Sequence, residues 1–149
     1  MNINYLPCEV CIILKEIGFD KETDAMYEIS LTESIDPETE DTTGPFGWKK
    51  GEVNFVKRYF ANNHPSIDFS NENWLLVSAP LIQQVFRWFR KEFGIYTNIM
   101  CVNTQNNTFK YEVIKDNEIL FDDLGMFEHQ EEFEIECIKK VIRYLKNNI

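Results

Sequence analysis

Apolar residues recur along this chain with two periods. Val10, Ile13, Leu14 and Ile17 follow the i, i+3, i+4, i+7 spacing of one helix face, which predicts a helix over Pro7–Ile17. Pro7 suits a first turn, Gly18 suits a left-handed C-terminal cap, and Phe19 is placed to fold back on the helix. Ala25–Glu33 alternates instead, with Met26, Glu28, Ser30 and Thr32 on one side and Tyr27, Ile29 and Leu31 on the other, the pattern of a half-buried strand. Ser34–Gly51 concentrates Pro37, Gly44, Pro45 and Gly47 beside an acidic run and reads as a loop, with Phe46 and Trp48 inside it. Val53, Phe55, Val56, Tyr59 and Phe60 fit a strand over 52–60 about as well as a short helix, and strand is preferred. Ala61–Asn73 is polar and reads as loop; Trp74–Val77 is a short apolar strand.

The strongest helical pattern covers Pro80–Phe93, with Ile82, Val85, Phe86, Phe89 and Phe93 as the stripe, Ser78 as the expected cap, Pro80 in the first turn and Gly94 as the stop. Strands follow over Ile95–Val102, Thr108–Lys115 and Glu118–Phe121, joined by polar turns at Asn103–Asn107 and Asp116-Asn117. Glu128–Asn147 is the last helix, with Phe133, Cys137, Ile138, Val141, Ile142 and Leu145 facing inward. Close strand connections with separate helices predict an α+β fold. The expectation is a single small domain over 1–149: three helices packed on an antiparallel sheet of about 4–5 strands, with 34–73 as a long variable insert.

Composition supports a folded chain: 44% hydrophobic and 14% aromatic residues can fill a core at 149 residues. The formal charge of −10 argues against direct nucleic-acid binding and against docking on an anionic membrane, both of which need a basic face. The charge is uneven. Residues 1–48 carry eleven acids against two bases, 49–115 five against nine, and 116–149 nine against four. In the last helix the acids lead and the bases follow, as the helix dipole favours. No run approaches the roughly 18 uncharged apolar residues of a membrane span, and the start lacks a secretory pattern. A cytoplasmic protein with reduced thiols is therefore expected. On that expectation the Asn106-Asn107-Thr108 sequon has no use.

The segment Ala79-Pro-Leu-Ile-Gln-Gln-Val-Phe-Arg-Trp-Phe-Arg-Lys-Glu-Phe-Gly-Ile95 resembles the A-P-x-x-Q-Q-V-x-x-W-x-R-x-x-x-G-I segment of a family of small uncharacterised proteins found in Bacteroidetes genomes, prophages and mobile elements. Leu14-Lys-Glu-Ile-Gly-Phe19 is similar to that family's opening, and Tyr111-x-Val113 followed by a helix with Ile138 and Leu145 is similar to its ending. Phe89 stands where leucine is usual, and 34–73 is individual to this chain. The resemblance implies a fold and a genomic setting. The family brings no activity, so it implies no mechanism.

Several groupings of residues bear on chemistry. Pro7-Cys8-Glu9-Val10-Cys11 and His129-Gln130-Glu131 are like the pieces of a zinc deaminase, but in reversed order and without the strand expected before the cysteine helix. Cys8-x-x-Cys11 at a helix start is a possible redox pair, yet no βα unit precedes it. A structural zinc would need Cys101 and Cys137 as further ligands, and neither has a close sequence neighbour. Burial of Cys8 or Cys11 beside Leu14 is the preferred reading. His64 and His129 read as surface residues. Asp36–Asp41 fails the calcium-loop pattern, since Asp41 and Gly47 occupy the positions needing Gly and Glu. No catalytic, metal or cofactor residue is assigned.

Gln84, Arg87, Trp88, Arg90 and Lys91 remain, a basic-aromatic group on the second helix that would suit a phosphate or an acidic partner unless paired with acids of the same chain. A pocket lined by Arg87, Trp88 or Tyr96 would mark a ligand site. The preferred function is a non-catalytic acidic adaptor or inhibitor of phage or mobile-element origin, docking on a host protein by charge complementarity. The alternative is a small-ligand or nucleotide binder, or a zinc enzyme using the Cys/His groups.

Overall fold

The computed structural model describes residues 4–32, 49–57, 60–61, 67–68 and 73–148. Its contacts divide into two compact units, Pro7–Pro80 and Met1–Leu6 with Leu81–Ile149. It is an antiparallel α+β structure with three helices among the described residues.

In the first unit, α1 spans Cys8–Glu16 and starts at Pro7, whose carbonyl accepts from the Val10 and Cys11 N–H groups at 3.0 Å. Val10, Cys11 and Leu14 form its buried stripe. Gly18, at φ +100°, ends it, and the Gly18 and Phe19 N–H groups donate back to Lys15 and Leu14. This reciprocal pair satisfies carbonyls that a helix end leaves open, and it turns Phe19 into the core.

β1 (Glu22–Thr23) pairs with β4 (Phe60–Ala61). β2 (Met26–Thr32) lies between β3 (Lys49–Val56) and β6 (Asn73–Ser78), and β5 (Ile67–Asp68) pairs with the far edge of β6. The strand preference for 52–60 holds through Val56, but β3 begins three residues earlier than the loop expectation allowed. Residues 34–48, with the acidic run and Phe46 and Trp48, lie outside the described residues, as does His64. The expected loop over 61–73 contains β5.

The half-buried alternation expected of β2 is also revised. Met26 and Ile29, three apart and so on opposite faces, are both fully buried. Tyr27, Glu28 and Ser30 between and beside them are half-buried, so burial in this strand does not simply alternate. α1 packs on β6, where the Lys15 ammonium reaches the Leu76 carbonyl at 3.4 Å.

In the second unit, Tyr5 bridges to Leu81, and the Ile82 N–H donates to the Asn4 carbonyl at 3.0 Å. α2 covers Ile82–Phe93. Ser78 does not cap it and Pro80 is not in its first turn. Ser78 is in β6, its buried hydroxyl makes no hydrogen bond among the described residues, and the N-cap position falls on Leu81. The incoming chain supplies the Asn4 carbonyl to an N-terminal N–H group instead, which relieves the need for a side-chain cap. Gly94, at φ +65°, stops the helix as expected.

β7 (Tyr96–Asn103), β8 (Thr108–Lys115) and β9 (Glu118–Met126) form a meander in that order. Asp116 and Asn117 both have positive φ, the two-residue turn whose twist suits a hairpin. β9 runs five residues beyond its expected end at Phe121. α3 (Gln130–Asn148) buries Phe133, Cys137, Ile138, Val141, Ile142 and Leu145, as its period demands. Phe133 packs against Phe109, Tyr111 and Phe127, with ring centroids 5.8, 5.1 and 5.3 Å away.

The expected single sheet of about 4–5 strands is corrected. Among the described residues, the strands before α2 pair with one another in sheets of two and four, and those after it form a sheet of three. The short turns of the β7–β9 meander satisfy its strands locally.

Candidate functional site

The five candidates on α2 separate once the helix is seated. Trp88 is 4% exposed, 5.1 Å edge-on from Phe93 and 5.7 Å from Phe89. It belongs to the buried stripe and not to an exposed patch. At 100° per residue it lies 60° from Val85, within the width of an apolar helix face. Gln84 is half-buried. Arg87, Arg90 and Lys91 are exposed and make no ion pair among the described residues. They share a helix face by their i, i+3, i+4 spacing.

Arg90 also stands on the wall of a recess where α2, β7 and α3 meet. This recess has a volume of about 270 Å³ and is lined by Gln83, Phe86, Arg90, Thr97, Asn98, Ile99, Gln130 and Glu134. On its wall the exposed Gln83 donates from its side-chain amide to Glu134 Oε2 at 2.8 Å. Glu134 occupies the inward stripe of α3, between Phe133 and Cys137, and is only 6% exposed. Burial, reinforced by the nearby Glu131, raises its pKa, and the Gln83 bond partly offsets the rise. A second recess of about 290 Å³, lined by Asn4, Leu81, Ile82, Gln83, Glu131 and Glu134, shares the same pair. Neither recess is lined by Arg87, Trp88 or Tyr96.

A larger surface is formed by the three-stranded sheet. Its inner face carries Phe109, Tyr111 and Val113, all buried. There Asp123, the cross-strand partner of Tyr111, binds Lys140 of α3 at 2.6 Å. That pairing lowers the Asp123 pKa and lifts Lys140 to about 12.

Cross-strand register sets the outer face in four rows: Tyr96–Ile114–Ile119, Asn98–Glu112–Asp122, Met100–Lys110–Leu124 and Asn103–Thr108–Met126. Tyr96, Met100, Ile119, Leu124 and Met126 are 38–70% exposed, and half-buried Ile114 joins them. One row sets Glu112 directly beside Asp122, and Lys110 lies 3.2 Å from Glu112.

No family model matches this chain, and no curated protein or solved structure matches it.

The cysteine readings resolve toward packing. Cys8, Cys11 and Cys137 are buried, and Cys101 is exposed. Burial and the neighbouring Cys8 and Glu9 push the Cys11 thiol well up, and burial and Glu134 push Cys137 up to about 12. A redox-active thiol needs the opposite shift. No group of three or more His, Cys, Asp or Glu side chains among the described residues is placed to hold a metal ion. His129 is exposed, and no helix of the described residues is long and apolar enough to cross a membrane.

Sequence reasoning missed Glu134 and the outer sheet face. The signals were present. Position 134 falls on the period of the α3 stripe, and β9 carries apolar residues in both of its alternating registers.

Proposed function

We propose that this is a non-catalytic protein-binding protein that docks through the outer face of the β7–β8–β9 sheet. The observation that carries this reading is the set of apolar side chains left exposed on β7 and β9, with half-buried Ile114 of β8 between them, since soluble proteins seldom leave such a face uncovered without a use. The partner chemistry follows from the row through the middle of the face. Glu112 is already paired with Lys110 at 3.2 Å, so the carboxylate open to a Lys or Arg of the partner is the exposed Asp122 directly opposite it. The partner surface is therefore apolar with at least one basic residue. A second copy of this chain is disfavoured as the occupant because each copy carries −10. The adaptor or inhibitor role, the host protein partner and the phage or mobile-element setting belong to the same proposal, and rest on the acidity and on the Ala79–Ile95 resemblance.

The test compares capture by the wild-type chain with capture by a Leu124→Lys, Met126→Lys variant, with cross-linking to map the contact. A protein held by the wild type, cross-linked to β7–β9, released by raised salt and lost with the variant supports the reading. Equal capture by both chains, or cross-links confined elsewhere, overturns it.

A further inference from the structure

We propose that the recess between α2, β7 and α3 binds a small zwitterion of the free α-amino-acid class. Two observations converge on it. Glu134 is the one charged side chain buried among the described residues, and it sits on the stripe where α3 otherwise places Phe, Cys, Ile, Val and Leu. An apolar residue there would serve packing alone, so a carboxyl in that place is a local cost of the kind that marks function. Arg90 lines the same recess, exposed and without an ion pair among the described residues. The walls therefore present one anion and one cation, with neutral groups from Gln83, Thr97, Asn98 and Gln130 around them.

A ligand that matches this set carries both charges. Its ammonium donates to Glu134, which keeps Gln83 as its second partner. Its carboxylate accepts from the Arg90 fork, for which a planar two-oxygen group is the natural complement. The volume of about 270 Å³ admits a molecule of amino-acid size, and the neighbouring recess that shares Gln83 and Glu134 gives room for a side chain. The recess and the sheet face share Asn98 of the middle row, whereas the outer-face residues Tyr96, Met100 and Leu124 line neither recess.

The experiment is saturation-transfer NMR on the full chain with the twenty standard free amino acids, followed by titration of any that respond. Glu134→Gln and Arg90→Gln each weaken binding about tenfold or more, because each removes a charge-assisted bond. Arg143→Gln, an exposed change on α3 that lines neither recess, leaves binding unaltered. Glu134→Gln keeps the shape of the side chain, so a native melting transition separates lost binding from lost folding. No response from any amino acid at millimolar concentration, or a response that survives either recess variant, overturns the proposal.

Discussion

The amide of Gln83, in the first turn of α2, holds the carboxylate of Glu134, in the second turn of α3, at 2.8 Å. A buried acid with one neutral partner is held at a cost when ionised. Its raised pKa means that the folded state binds this proton more tightly than the unfolded state does. Stability from this group is therefore full below the ordinary glutamate pKa of about 4.3, and falls as pH rises through the raised folded value. Glu134→Gln removes that loss. At pH 7 to 8 the variant melts above the wild type, and the gap closes as pH falls toward about 4.3. Thermal melts of both proteins across this range check it; a variant that melts lower at pH 8 contradicts it.

Lys15 provides the opposite sign. Burial lowers its pKa to about 8. Between about 8 and the ordinary lysine value of about 10.4, the unfolded chain binds more protons than the folded one, so stability rises with pH across that window. Lys15→Met flattens the rise. Urea midpoints at pH 7, 9 and 10 measure it.

Gly18 holds φ at +100° with nothing within 4 Å of where a Cβ would stand. Space is therefore not the issue, and backbone conformation is. Gly18→Ala costs about 1–2 kcal/mol, the penalty of a left-handed L-residue. Denaturant unfolding reads this directly, and a neutral result removes the assignment of the cap.

Phe133 and Leu124 belong to the same unit and differ in surroundings. Phe133 is buried among three aromatic rings, whereas Leu124 is 60% exposed. Phe133→Ala is expected to destabilise by about 3–5 kcal/mol. Leu124→Ala stays within about 0.5 kcal/mol. Equal losses would show that the outer face is covered after all.

The thiols divide by access. Cys101 reacts with a thiol reagent in the native protein, while Cys8, Cys11 and Cys137 react only on unfolding. Counting fast and slow thiols by absorbance tests this. Fast labelling of Cys8 or Cys11 would reopen the redox reading.

The candidate site was legible in part. Arg87, Arg90 and Lys91 are exposed, as their helix positions indicate, whereas Trp88, grouped with them in sequence, is buried. A tryptophan at the margin of an apolar stripe fits either solvent or core by period alone, and here Phe93 and Phe89 meet it. In sequence Glu134 is one of five acids, Glu128, Glu131, Glu132, Glu134 and Glu136, near a helix start, where the dipole accounts for acids whether or not they are buried.

What the sequence determined by itself is local. The three helices, the ends of α1 and α2 at Gly18 and Gly94, the Asp116-Asn117 turn and the core stripe of α3 follow from period, φ preference and hydrogen-bond capacity within a few residues. Tertiary structure decided which strands pair, which face of β7–β9 is covered, and that Gln83 meets Glu134 across 51 positions. Those outcomes depend on which distant groups arrive at a surface to replace water, and no window along the chain contains that information.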